Sequence, residues 1–184
     1  MKKVILFILL YPFLIFSQER LSILSELKSD IGKYGVDTVK CEENLSIYTE
    51  FYKQKSYDSA LDSWLYLFMN APKRTKNIYT QGATMFKFFI KNELDSIKKE
   101  GLIDDLLTIY DYRNHYYPGQ EGLVFGYKGS DLYKYRKSDL SSVQAAHITL
   151  ANSYNIDQEK SSARALNYYF ASGAKLTSKK MLSK

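Results

Sequence analysis

Residues 44–72, NLSIYTEFYKQKSYDSALDSWLYLFMNAP, constrain the fold more than any other stretch of this chain. Phe51 precedes Ala60 by nine positions, Trp64 follows Ala60 by four, and Pro72 follows Trp64 by eight. The polar break Lys53-Gln54-Lys55-Ser56 separates two apolar runs and ends on a good N-cap residue, so one helix can stop and a second begin. A small residue at Ala60 lets two helices approach closely, and the aromatics on either side fill the groove around it. The spacing therefore predicts a packed helical hairpin.

The N-terminus carries a different signal. Lys2-Lys3 leads into VILFILLYPFLIF, an apolar run of 13 residues from Val4 to Phe16. A membrane span needs about 20 residues. A basic start, a short apolar run and a small residue at Ser17 read as a secretory signal peptide over residues 1–17, cleaved before Gln18. An uncleaved N-terminal anchor is the alternative. Export to the periplasm, the cell surface or the medium is the expectation, with no membrane span after cleavage. The single cysteine, Cys41, fits a chain without internal disulfides. It reads as a structural, partly buried thiol, with intermolecular pairing the other use open to it.

Formal net charge is +6, and loss of Lys2 and Lys3 leaves +4. The lysines are dispersed among 20 acidic side chains rather than gathered in a basic arm, which argues against nucleic acid as a partner. Seventeen tyrosines suit helix–helix seams and binding surfaces alike, because the ring packs while the hydroxyl stays wet.

Apolar spacing predicts helices over residues 18–33, 42–55, 57–70, 75–91, 96–116, 139–154 and 159–176. Residues 35–41 read as a connector and 175–184 as a polar, basic tail. Asp95 or Ser96 is expected to cap the fifth of these helices and Ser138 the sixth. Between Gly119 and Ser138, four glycines predict two short helices, 121–128 and 131–135. Gly82 lies on the apolar stripe of Ile78, Met85 and Phe89, where it costs about 1 kcal/mol against alanine. Close packing on a neighbouring helix is its expected compensation. No stretch alternates over strand length, so the predicted class is all-α.

The pattern Ala60-x3-Trp64-x7-Pro72, with Tyr57 before it and Phe51 in the first helix, resembles a tetratricopeptide repeat (TPR), a helix–turn–helix unit of about 34 residues. Thirty-four positions after Tyr48 and Phe51 stand Gly82 and Met85, so a second repeat begins in register. It does not end in register, since Pro118 follows Pro72 by 46 residues. Residues 39–135 are also similar to a group of exported bacterial TPR proteins, through KCEENLSIYTEFYKQKSYDSAL, NAPKRTKNIYTQGA, LIDDLLTIYDYRNHYYPGQEG and GYKGSDLYKYR. The resemblance implies antiparallel helical hairpins stacked as a short right-handed α-solenoid over residues 42–174. It implies a scaffold that binds a protein or peptide, and no enzyme. In such an array the first helix of each hairpin lines the binding face. That places Leu45, Thr49, Tyr52 and Lys53 there from one hairpin and Tyr79, Ala83, Phe86 and Lys87 from the next. Tyr52 and Phe86 are then aromatic anchors, and Lys53 and Lys87 meet partner carboxylates. Core or inter-hairpin packing is the competing role for all eight. An envelope-associated subunit that acts through self-association is the alternative function, and the oligomeric state stays open.

The sequence offers no better case for chemistry. Asp104, Asp105 and Asp111 have no third ligand placed to make a metal set, and a solvated helix face accounts for them. His147 lies on an apolar face and reads as a hydrogen-bonded packing residue, while His115 belongs to another hairpin. No serine has a nucleophile-elbow context, and the glycines after Pro118 do not fit a phosphate loop. The run 127–137 mixes aromatic and basic residues as single-strand binders do, but it is short. No cofactor is expected.

Overall fold

A computed structural model describes residues 32–179. The signal segment, most of the predicted helix 18–33 and residues 180–184 lie outside the described residues. Within them are seven α-helices and one 3-10 turn, with no strand: α1 Thr38–Lys53, α2 Tyr57–Asn70, α3 Asn77–Asn92, α4 Ser96–Tyr116, α5 Glu121–Arg136, α6 Leu140–Asp157 and α7 Ala163–Ser178. The all-α expectation is met.

Three-residue turns join α1 to α2, α3 to α4 and α5 to α6, and each pair packs as a hairpin. Connectors this short bring consecutive helices back alongside one another. α2 touches α3 and α4 touches α5, so the hairpins adjoin in chain order, and α7 closes the series against α6 and α5. The first helices of the hairpins start at 38, 77 and 121, which are 39 and 44 residues apart. Both intervals exceed the 34-residue unit.

The opening hairpin forms where the spacing places it. At the turn Lys55 takes a positive φ of 59°, and the Ser56 amide donates to Phe51 O at 2.9 Å. Ser56 stands at the N-cap of α2, yet its side chain makes no capping bond. Helix α2 stops at Asn70, before Pro72, whose carbonyl accepts from the Tyr79 hydroxyl at 2.9 Å. Ala60 and Trp64 are fully buried. The Trp64 indole N–H donates to Ile78 O at 2.6 Å, which fixes the ring against the start of α3. A Cβ on Gly82 would stand 2.5 Å from Trp64 Cζ2. The tryptophan therefore occupies the space that a larger residue at 82 would need. From Trp64 the aromatic packing continues through Phe68 to Tyr112, with centroids 4.9 and 5.1 Å apart.

Four local expectations need correction. Helix α1 starts at Thr38, not residue 42, because the Asp37 carboxylate accepts from the Lys40 amide and caps it there. Cys41 is thus a buried helical thiol, raised in pKa chiefly by that burial. The two short helices after Pro118 are one continuous α5. Its interior glycines are contact points rather than breaks, since a Cβ on Gly129 would lie 2.6 Å from Leu150 Cγ of α6. Asp139, not Ser138, caps α6, accepting from the Ser142 amide at 2.8 Å. The last helix begins at Ala163, where the Ser162 hydroxyl accepts from the Ala165 amide, and it runs on to Ser178 with Leu176 fully buried.

Candidate functional site

The eight residues predicted to face a partner separate into distinct environments. Leu45, Thr49 and Lys53 recur on α1 at helical spacing, so they share one side of that helix. They line a groove of about 420 Å³ between α1 and the beginning of α3. Thr75, Asn77 and Gln81 supply the opposite wall. Gln81 Oε1 is buried without a hydrogen-bond partner, an unmet acceptor on that wall. One end of the groove is held by Glu42 and Arg74, whose side chains meet in a two-pronged pair at 2.6 and 3.0 Å. This bond draws the Glu42 carboxyl below its ordinary pKa and raises that of Arg74. The other end carries Lys53, which is largely exposed and only 3.9 Å from Glu50. The groove thus offers threonine, asparagine and glutamine groups between separated charges, with Leu45 packed against the core beneath.

Tyr52 is half-buried and packs on Tyr57, with centroids 5.5 Å apart, outside this groove. Tyr79, Ala83 and Phe86 are buried at 1%, 6% and 4% exposure. Their side chains belong to the core: Tyr79 reaches Pro72 O, and Phe86 packs on Trp64 at 5.4 Å. These three residues are covered rather than exposed because both α2 and α4 pack on α3. Burial pushes the Tyr79 hydroxyl strongly up. Phe86 is not an exposed anchor.

Lys87 meets a carboxylate, but one from its own chain. Its Nζ lies 3.0 Å from Asp131 Oδ2. The Asp131 side chain is 1% exposed and accepts a hydrogen bond from the Tyr110 hydroxyl at 2.7 Å. Arg164 pairs with its other oxygen. One buried carboxylate on α5 therefore ties together α3, α4 and α7. Tyr110 stacks on Tyr127, and Lys87 and Arg164 lie over those two rings at 5.8 Å each. Burial first, and then Asp131, raise the Tyr110 hydroxyl well above the ordinary phenol range. Nothing in the sequence singled out Asp131 as buried. The signal available was a lone acid at the centre of the aromatic and basic run 127–137. Two other basic residues of that run are paired as well: Lys128 with Asp111 at 2.6 Å, and Arg136 with Glu100 and Asp104 at 2.7 and 2.6 Å.

The acidic and histidine candidates are placed apart. Asp104 and Asp111 are exposed and in those ion pairs, whereas Asp105 is partly buried. Burial, and then the adjacent Asp104, push Asp105 up to about 7. His147 Nδ1 lies 3.0 Å from Ser172 Oγ and its ring stacks on Tyr169 at 4.7 Å. Burial lowers its pKa, so it stays neutral in this packing. His115 sits edge-on to Tyr116 in another part of the fold. Among the described residues no group of three or more His, Cys, Asp or Glu is placed to hold a metal ion, and no helix is long and apolar enough to cross a membrane. No family model matches this chain, and no curated protein or solved structure is found to be similar to it.

Proposed function

We propose that this chain is a non-enzymatic binding protein, a TPR-like array of antiparallel hairpins wound as a short right-handed α-solenoid. In this reading it is exported and takes a protein or peptide segment in the groove between α1 and α3. The observation that carries the reading is the groove itself. It runs between the first helices of two successive hairpins and is walled by hydrogen-bonding side chains, one of them with an unmet acceptor. An extended peptide backbone supplies amide donors at intervals, which is the complement such a wall calls for.

The test is affinity capture from the native envelope with the full chain as bait, run beside a Thr49→Arg variant. Thr49 is half-buried on the groove wall, so arginine there fills the groove, and helicity checks that the neighbouring buried Tyr48 keeps its packing. A protein retained by the native chain and lost with Thr49→Arg, at unchanged helicity, supports the reading. Equal retention by both chains rejects the groove.

Assembly through self-association is the second reading, and exposed apolar side chains on α6 and α7 favour it. Ile148, Ile156 and Phe170 are 56%, 54% and 73% exposed on α6 and α7. Phe170 adjoins Tyr169, which stacks on the exposed Tyr154. A stable oligomer by light scattering, dispersed by Phe170→Glu, supports this reading over the first.

A further inference from the structure

A second cavity, of about 510 Å³, lies between α3, α4 and α5 and shares no lining residue with the groove on α1. Four of its lining residues are lysines from three helices: Lys87 and Lys91 from α3, Lys99 from α4 and Lys134 from α5. Phe88, Ile90 and Tyr135 supply the rest of the lining, and no acidic residue contributes to it.

The nearby acids are committed elsewhere. Asp131 holds Lys87. Glu93 accepts from the Asp95 amide at 2.8 Å, and Asp95 caps α4 by accepting from the Lys98 amide at 2.9 Å. Glu100 and Asp104 are paired with Arg136. Lys91, Lys99 and Lys134 thus have no carboxylate within ion-pair distance among the described residues. Lys134 lies over the Tyr135 ring at 4.9 Å, so one wall of the cavity is cationic and aromatic together.

We propose that this cavity binds an acidic peptide segment that carries an aromatic or large apolar side chain. The three uncompensated lysines receive carboxylates, and the apolar lining of Phe88, Ile90 and Tyr135 receives the apolar group. A bare phosphate leaves that lining unfilled. An anionic bilayer meets the exposed Lys91 and Lys134 but offers no single side chain to that lining. Because the two linings are disjoint, this site stands or falls independently of the groove between α1 and α3.

The experiment is fluorescence anisotropy with the full chain and a labelled Glu-Glu-Phe-Glu-Glu probe. Two control peptides carry Gln in place of every Glu, or Ala in place of Phe. Binding of the acidic probe is expected to weaken at least about tenfold in a Lys91→Glu, Lys134→Glu double variant and at high salt. It is expected to be unchanged in Lys53→Glu, which alters only the other groove. Both replaced lysines are exposed, and circular dichroism with the milder Lys91→Gln, Lys134→Gln pair separates lost binding from lost folding. Equal affinity for the Gln peptide, or indifference to the charge reversal, overturns the proposal. So does full affinity for the Ala peptide, since the apolar lining is then unused. Competition by inorganic pyrophosphate at matched charge, or sedimentation with phosphatidylglycerol vesicles in place of peptide binding, also overturns it in favour of a simple anion site or a membrane surface.

Discussion

Replacing Asp131 by Asn tests the central structural reading, that one buried carboxylate holds three helices to a fourth. Asn keeps the shape and a single acceptor but removes the charge. It leaves Lys87 and Arg164 without their counter-ion and forces Tyr110 to share a weaker acceptor. Breaking a buried pair by deleting one partner typically costs about 3–5 kcal/mol, because the remaining charge is stranded. Here the stranded side chains are 30% and 37% exposed, so each regains some water. That lowers the expected cost to about 2–4 kcal/mol. For a chain of this size it corresponds to a fall in Tm of about 4–16 °C. Urea unfolding followed by circular dichroism reads the change directly, and Glu100→Gln on the exposed Arg136 pair is the comparison. The latter is expected to cost less than about 1 kcal/mol. A double-mutant cycle with Lys87→Met and Arg164→Met should show strong coupling of both to Asp131. A loss below about 0.5 kcal/mol for Asp131→Asn would refute the reasoning, since the carboxylate would then not be holding the helices.

Gly82→Ala should destabilise the fold by about 1–3 kcal/mol, although alanine favours a helix by about 1 kcal/mol. The added Cβ meets Trp64, which is fully buried and hydrogen-bonded to Ile78 O and so has no room to move; a more stable variant in urea would show that the ring yields. Asp105→Asn should act in the opposite direction and only above acidic pH. The folded carboxyl is raised to about 7, well above the ordinary carboxylate range, so between the two the folded state binds the extra proton and stability falls as pH rises. The variant should gain on the order of 1–2 kcal/mol at pH 8 and nothing below about pH 4; identical pH profiles for the two chains would contradict the burial.

Much of the fold was legible along the chain, because helix periodicity and its punctuation are local. Phe51, Ala60, Trp64 and Pro72 specify a hairpin through spacing, a polar break and a proline, and none of these needs a distant partner to be read. Gly82 belongs to the same group: a glycine on an apolar stripe announces a close approach, and Trp64 makes it. The glycines of α5 misled for the complementary reason. Gly126 and Gly129 look like breaks until α6 and α7 are set against them, with Leu150, Ser153 and Ala165 in the space their missing side chains leave.

Of the candidate site, Leu45, Thr49 and Lys53 were within reach of the sequence because they follow one helix face. Which side of α3 is covered was not, since periodicity fixes an apolar stripe but not how many neighbours enclose it. Tyr79, Ala83 and Phe86 consequently lie inside. The same limit hid Asp131, which lies 44 residues from Lys87 and 33 from Arg164 along the chain and meets them only after two hairpins and α7 have packed. It also hid the lysine cavity, whose charges come from three helices and whose potential counter-ions are engaged elsewhere. The order of helices was decided locally, by spacing, caps and turns. Which charges are neutralised, and which stay available to a partner, was decided by tertiary packing, because electrostatic pairing depends on distance in space rather than along the chain.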